Sequence, residues 1–269
     1  MDEQKQMYRQ KVNTAKKRIK HEANIYLVII AFMLLIATTL AWFTVSSLAG
    51  VNSLEMTIGT GVELKVATEN YGKDLEKYTH NITTEMIEQT LRKNYNATLQ
   101  NMLLDPVTTK EGAKFYNQGG SQRDPNKDTY LEYDLYFIST EDMWVHLTTD
   151  ESERGKNDGT SVTTTETGVK RDVVRCTRVS FTSESNEAAI YEPNKDTAVA
   201  GQTTFDLPAG SMTYSNGTRL FHLTALTPKK VTIRLWVEGE DPQCNDNVQS
   251  ANLSVQLQFR GTDEENHIF

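Results

Sequence analysis

The chain has 269 residues, of which 38% are apolar, and it carries a net charge of −8. This length allows one large domain or two small ones, and the apolar fraction is sufficient for a buried core. The acidic balance argues against nucleic acid as a partner, because phosphate recognition requires a concentrated basic face.

Charge is divided unevenly between residues 1–24 and the rest of the chain. Residues 1–24 contain seven Lys or Arg and three Asp or Glu, a net charge of +4, which leaves −12 for the remainder. Basic residues beside an apolar stretch stay on the cytoplasmic side of a membrane. We therefore interpret residues 1–24 as a cytoplasmic basic segment.

Residues 25–43 are nineteen consecutive uncharged residues. A helix of this length approaches the ~30 Å thickness of the hydrocarbon layer, at about 1.5 Å per residue. The pattern predicts a transmembrane or signal helix that places residues 44–269 outside the cytoplasm. Two fates stay open, because the apolar length favours a retained anchor, whereas small residues before Trp42 and before Gly50 allow signal cleavage.

Residues 54–66 alternate apolar and polar on both sides of Gly59 and Gly61. A period of two with a glycine interruption predicts either a strand with a bulge or a short hairpin. This segment is the first predicted element of the exported part.

Residues 83–104 predict a helix within the exported part. Thr83 or Thr84 can cap its start, and Pro106 follows it. The apolar stripe of this helix consists of Ile87, Leu91, Tyr95, Leu99 and Met102.

Most other apolar segments are short and alternate with a period of two, which is typical of strands. Residues 131–137 and 143–148 predict a hairpin, and the polar stretches 112–127 and 149–167 predict loops. Further strands are predicted within residues 172–183, 188–193, 218–226, 229–240 and 252–261. Together these elements predict a mainly β ectodomain, an antiparallel β-sandwich of jelly-roll type with one inserted helix.

No sequence motif indicates catalysis, so the sequence predicts a protein that is not an enzyme. The phosphate-binding patterns GxGxxG and GxxxxGK[ST] do not occur. None of the histidines pairs locally with a Ser or Cys in a nucleophile motif; they are His21, His80, His146, His222 and His267.

Residues 234–246, RLWVEGEDPQCND, are the sharpest local feature. Several carboxylates follow a predicted strand there, and Ca²⁺ takes oxygen ligands in flexible numbers. One interpretation is a Ca²⁺ site, and the other is a solvated acidic turn. The metal ligands would be Glu238, Glu240, Asp241 and Asp246.

Two tryptophans raise the related question of carbohydrate binding, because aromatic faces stack on sugar rings. Trp144 and Trp236 both lie in predicted strands. Burial in the sandwich core is the alternative interpretation for each of them.

Cys176 and Cys244 are the only cysteines, and both lie in the exported part. One disulfide between them would close a loop of 67 intervening residues, worth roughly 4 kcal/mol by chain-entropy reasoning. Two separate buried thiols are the alternative, because the sequence does not give the distance between them.

The stretch LLIATTLAWFTVSSLAGVNS, followed by LEMTIGTGVELKV, resembles the export segment and first strand of the TasA and camelysin family of Gram-positive surface proteins. The matching residues are Ala41, Trp42, Phe43 and Thr44. The resemblance implies a jelly-roll ectodomain that assembles into fibres, as in a biofilm matrix, when residues 42–67 insert into the sheet of a neighbouring copy. LWVEGEDPQC, residues 235–244, is also similar to uncharacterised exported proteins of clostridial type.

These observations predict an exported cell-surface or extracellular-matrix protein with a structural or adhesive role. Its predicted partners are the membrane, through residues 25–43, and further copies of itself. The alternative is a surface module that binds carbohydrate or Ca²⁺ without catalysis.

Overall fold

The computed structural model describes residues 26, 28–30, 49–58, 64–117, 119–147, 159–185, 187–192, 211–212, 219–265 and 267. The chain forms two compact units, Met1–Ser46 and Ser47–Phe269. In the first unit, Tyr26 and residues 28–30 are helical, and their apolar side chains are exposed. Among the described residues, no helix is long and apolar enough to cross a bilayer. Most of the predicted membrane or signal helix, residues 25–43, lies outside the described residues.

The second unit is mainly β, as the sequence predicts. Its described strands are β1 (Ala49–Ile58), β2 (Leu64–Ala67), β3 (Asn81–Ile82), β4 (Leu103–Leu104), β5 (Phe115–Tyr116), β6 (Gln122–Arg123), β7 (Leu131–Ser139), β8 (Met143–Leu147), β9 (Ser161–Thr163), β10 (Thr177–Ser183), β11 (Ala188–Tyr191), β12 (Ser211–Met212), β13 (Arg219–Leu223), β14 (Lys229–Val237) and β15 (Asn252–Thr262). Its described α-helices are α1 (Thr84–Tyr95) and α2 (Val173–Cys176).

Two large sheets contain most of these strands. The first sheet has the order β13-β8-β15-β1-β3, with β4 also paired to β1 and β9 also paired to β15. The second sheet has the order β12-β11-β10-β14-β7-β2, and β5 pairs with β6 separately. Most pairs are antiparallel, but β1 pairs with β15 in parallel, and so does β11 with β12.

Apolar side chains of the two sheets pack into one core. The Phe137 ring of the second sheet lies 5.0 Å from the Phe221 ring and 5.1 Å from the Phe259 ring of the first. Phe181, on β10, lies 5.9 Å from Phe259. Aromatic pairs at these distances attract each other beyond their simple burial, so Phe259 links both faces of the core.

β1 contains a bulge that changes the phase of its buried positions. The pairing with β15 shifts between Val51 and Ser53, and Asn52 is exposed. Ala49 and Val51 are buried before the shift, and the even-numbered Leu54 is buried after it. An extra residue in one strand moves every following side chain to the opposite face, and here this keeps the apolar residues inward.

β1 and β2 do not pair as a hairpin or belong to one bulged strand. β1 lies in the first sheet, whereas β2 pairs with β7 in the second sheet. The prediction of a single element over residues 54–66 is therefore wrong, because the chain changes sheet between residues 58 and 64. Gly59 and Gly61 lie outside the described residues.

The predicted hairpin of residues 131–148 is also wrong. β7 and β8 follow one another closely, but they lie in different sheets and pair with different neighbours. Residues 140–142 carry the chain from one sheet to the other. Both strands bury one face against the same core, so their alternation is the same as that of a hairpin.

Helix α1 begins as predicted and ends earlier. Thr83 Oγ1 accepts a hydrogen bond from the Met86 backbone N–H at 3.4 Å. Asn96 adopts a left-handed conformation with φ of 51° and ends the helix, as Asn does at many helix C-termini. Leu99 and Met102 of the predicted stripe are buried beyond this end, in a short 3-10 turn and the residue after it.

The segment 105–130 covers part of the outer face of the second sheet. Phe115 stacks on Tyr130 at 4.1 Å and meets the buried Trp236 at 5.0 Å. Gly112 has φ of 71°, and a Cβ there would lie 2.9 Å from the Ser180 Cβ. The prediction of an exposed loop over 112–127 is therefore wrong in part, since this region holds β5, β6 and a buried aromatic residue. Within the predicted loop 149–167, the described residues 159–167 include strand β9.

We expect truncation of one buried side chain of β1 to lower the stability of the second unit. Leu54→Ala should lower the free energy of unfolding by about 3 kcal/mol, because the Leu54 side chain is 1% exposed and its removal leaves a cavity. The neighbouring exposed residue gives the control, and Glu55→Ala should change stability by less than about 0.5 kcal/mol. Urea unfolding measures both, and equal effects of the two variants would contradict the position of β1.

Candidate functional site

The ends of β10 and β14 bring a group of titratable side chains together at one corner of the second sheet. In the antiparallel pair, Thr177 is opposite Val237 and Arg178 is opposite Trp236. The Glu238 backbone N–H then donates to the Cys176 carbonyl at 2.7 Å. We call this group the Arg178 corner, which consists of Cys176, Arg178, Glu192, Glu238, Asp241 and Cys244.

Arg178 is the cation at the centre of the Arg178 corner. Its side chain is 7% exposed, and its Nη2 donates to Asp241 Oδ2 at 2.8 Å. Its Nε lies 3.3 Å from Oε1 of Glu192, which is 1% exposed. Its Nη1 donates to the backbone carbonyls of Arg175 and Thr177. One guanidinium therefore faces two carboxylates in a poorly solvated environment.

Burial sets the protonation behaviour of Glu192. Loss of solvation raises the pKa of this carboxyl above its ordinary value, and the Arg178 charge opposes the rise. Asp241 adds a further negative charge that raises the pKa of Glu192. The ionised form of Glu192 therefore depends on Arg178.

Glu238 is buried and already engaged by neutral donors. Its Oε2 accepts the Trp236 indole N–H at 3.0 Å, and its Oε1 accepts the Glu240 backbone N–H at 3.1 Å. Burial raises the pKa of Glu238 in spite of these hydrogen bonds.

The four predicted Ca²⁺ ligands have different environments. Glu238 is buried and Asp241 pairs with Arg178, whereas Glu240 and Asp246 are exposed. Within the part of the chain that the structure describes, no three His, Cys, Asp or Glu side chains form a group that could hold a metal ion. The Ca²⁺ site stays a prediction from the sequence. Two of its four predicted ligands have other partners in the structure, because Glu238 accepts hydrogen bonds from neutral donors and Asp241 pairs with Arg178.

The structure brings the two cysteines to the Arg178 corner. Cys176 is buried and Cys244 is half-buried, and Cys244 packs against the core that contains Cys176. Both are free thiols. The neighbouring Cys244 thiol and then burial raise the pKa of the Cys176 thiol far above its ordinary value.

The two tryptophans considered for carbohydrate binding are both engaged within the protein. Trp236 is fully buried. Trp144 is half-buried, with its indole N–H donating to Glu264 at 3.0 Å and the Arg219 guanidinium 4.7 Å from its ring centre. The His222 ring meets it edge-on at 5.0 Å. These contacts occupy the indole, which weakens the interpretation of Trp144 as a platform for a sugar ring.

Sequence reasoning missed Arg178 and Glu192. Arg178 lies at a polar position of an alternating strand, where solvent exposure is the usual expectation. Glu192 follows β11 and precedes Pro193 without a motif around it. The available signal was the pair of cysteines, because Cys176 and Cys244 lie close in sequence to Arg178 and Asp241.

Comparison with protein-family models, with curated proteins and with solved structures finds no match for this chain.

We expect loss of the Arg178 charge to destabilise the protein in a manner that depends on pH. Arg178→Met should lower the free energy of unfolding by about 3–5 kcal/mol at pH 7, because it leaves buried carboxylates unpaired. A carboxyl whose pKa is higher in the folded state than in the unfolded state binds a proton more readily in the folded state. Its contribution to the free energy of unfolding therefore increases as the pH falls from the pKa of the folded state toward that of the unfolded state. The deficit of the variant should therefore shrink between pH 7 and about pH 5, where Glu192 is protonated more easily.

Urea unfolding at both pH values measures this effect. Arg92→Met is the control, because Arg92 is 59% exposed in its pair with Glu88, and we expect a loss of only about 0.5 kcal/mol at either pH. A deficit of Arg178→Met that is the same at both pH values would contradict the role of Glu192.

Proposed function

We propose that this protein is an exported cell-surface or extracellular-matrix protein with a structural or adhesive role and without catalytic activity. Its body would be a β-sandwich of jelly-roll type delivered across the membrane by residues 25–43. The observation that carries the proposal is the position of β1, which begins soon after residues 25–43 in the sequence and pairs with β15, β3 and β4 in the first sheet.

The N-terminal part of the chain supports export. The basic segment 1–24 precedes nineteen uncharged residues, which favours a cytoplasmic N-terminus and an external body. The described residues of this stretch, Tyr26 and 28–30, are helical with exposed apolar side chains. Exposed apolar residues on a helix are favourable in contact with lipid and unfavourable in water.

β1 is suited to exchange between copies. It supplies four buried residues to the core, Ala49, Val51, Leu54 and Met56. It pairs with β15 on one side and with β3 and β4 on the other. If β1 left its sheet, unpaired backbone groups on both sides would be exposed, and these groups can bind an equivalent strand from another copy.

The position of β2 shortens the segment that one copy could donate to the sheet of a neighbouring copy. The resemblance to the TasA and camelysin family implies donation of residues 42–67, but β2 belongs to the second sheet of its own body. We therefore propose that only β1, residues 49–58, is transferred. The rest of the body keeps the pairing of β2 with β7.

We expect fibre formation to require β1. A body covering residues 47–269 should form fibres at high concentration, whereas residues 64–269 should not, because the donor strand is missing. Sedimentation and electron microscopy measure assembly. Adding a peptide of residues 47–60 to the shorter chain should restore the missing pairing and raise its thermal midpoint, since a ligand that binds only the folded state stabilises it. If both chains polymerise alike, donation by β1 is wrong.

We expect the N-terminal residue of the native protein to show whether the protein is anchored in the membrane or released after signal cleavage. Sequencing the protein from cells and from the medium should find either an intact Met1 in the membrane fraction or a start at Trp42 or Gly50 in the medium. Protease added to intact cells should digest the body in the first case. A body that is digested only after cell lysis would contradict export.

A further inference from the structure

Two connections between the sheets lie side by side at the Arg178 corner. Residues 164–176 lead from β9 in the first sheet to β10 in the second, and residues 238–251 lead from β14 back to β15. The 3-10 turns within them, Gly168–Asp172 and Asp246–Val248, are in contact. The corner is therefore a place where one covalent bond could join both connections.

Each cysteine is held by its own connection. The Cys176 Sγ donates to the carbonyl of Asp172, the residue before helix α2, at 3.2 Å. The Cys244 backbone N–H donates to the Asp241 carbonyl at 2.8 Å, and the Asp241 carboxylate accepts from Arg178 at 2.8 Å. Because Arg178 follows Cys176 by two residues, this ion pair also keeps Cys244 beside Cys176.

We propose that Cys176 and Cys244 form an intrachain disulfide under oxidising conditions and that this bond fastens the two connections to each other. The two connections are already joined beside the cysteines, because the Glu238 backbone N–H donates to the Cys176 carbonyl at 2.7 Å, and Asp241 accepts both from Arg178 and from the Cys244 backbone N–H at 2.8 Å. The proposal rests on this arrangement and is independent of the proposed surface function.

The oxidant is a small-molecule disulfide such as oxidised glutathione. Cys244 is the more exposed thiol; as the thiolate it attacks one glutathione sulfur, forms a mixed disulfide and releases the other glutathione as a thiolate. Cys176, once deprotonated, then attacks the Cys244 sulfur and releases the second glutathione. The two protein thiols lose two electrons and two protons in total, and the oxidant becomes two molecules of reduced glutathione.

The bond would stabilise the body chiefly by restricting the unfolded chain. It encloses 67 intervening residues, which is a long loop whose closure removes much conformational freedom before folding. For a body of this size we expect oxidation to raise the thermal midpoint by about 10 °C.

The test uses the full-length chain purified in mild detergent. After reduction and removal of the reductant, the protein is incubated with oxidised glutathione, denatured, and assayed for free thiols and for linked peptides by mass spectrometry. We expect two free thiols before oxidation, none after it, and one peptide pair that joins Cys176 to Cys244 within a single chain. Persistent thiols, a lasting glutathione adduct or a bond between two chains would each overturn the proposal.

Thermal unfolding of matched variants separates the bond from other effects of oxidation. Cys244→Ser changes a half-buried residue, and its midpoint should be the same with and without oxidant. Cys176→Ser changes the buried partner and should behave in the same way, starting from a lower midpoint. If either variant shows the rise of about 10 °C, the disulfide is not its cause.

Discussion

The parallel pairing of β1 with β15 is the constraint on which the first sheet depends. It joins the first and the last described strands of the body over Gly50–Ile58 and Asn252–Phe259. β15 also pairs with β8 and β9, and β1 also pairs with β3 and β4. Every other described strand of this sheet except β13 therefore pairs directly with β1 or β15. Contacts between residues so distant in sequence form only after a large loss of chain entropy. The pairing of β1 with β15 therefore closes the first sheet between the first and the last described strands of the body.

The sequence predicts local structure better than it predicts which strands pair with each other, and particular residues show why. Thr83 marks the start of α1 correctly, because capping is a local interaction. The alternation at Leu54 predicts β1, but the bulge at Asn52 hides its earlier half. Alternation also fails to distinguish a hairpin from a change of sheet after Ser139, because strands on opposite sides of one core have the same pattern.

In the candidate site, too, the sequence indicates the residue types but not how they are grouped in space. The cysteines and the acidic stretch after Trp236 attract attention as residue types, but their grouping depends on the register of β10 against β14. Arg178 is a buried cation whose carboxylate partners, Glu192 and Asp241, lie far from it in sequence, and such long-range packing leaves no local pattern. The carboxylates that suggest a Ca²⁺ site instead divide between a guanidinium, an indole and solvent.

The Arg178 corner and the β1 pairing meet through one connection. Residues 238–251 are fixed near their start by the Arg178–Asp241 pair, and at their end the Ala251 carbonyl accepts the Gly50 backbone N–H at 2.8 Å. A bond from Cys176 to Cys244 would leave only residues 245–251 between a covalent link and the position where β1 enters the sheet. Such a link would make the β15 side of the sheet more rigid without attaching to β1 itself. The proposed disulfide and the proposed strand exchange would therefore be compatible, because the disulfide would act on the accepting sheet, whereas exchange would move β1.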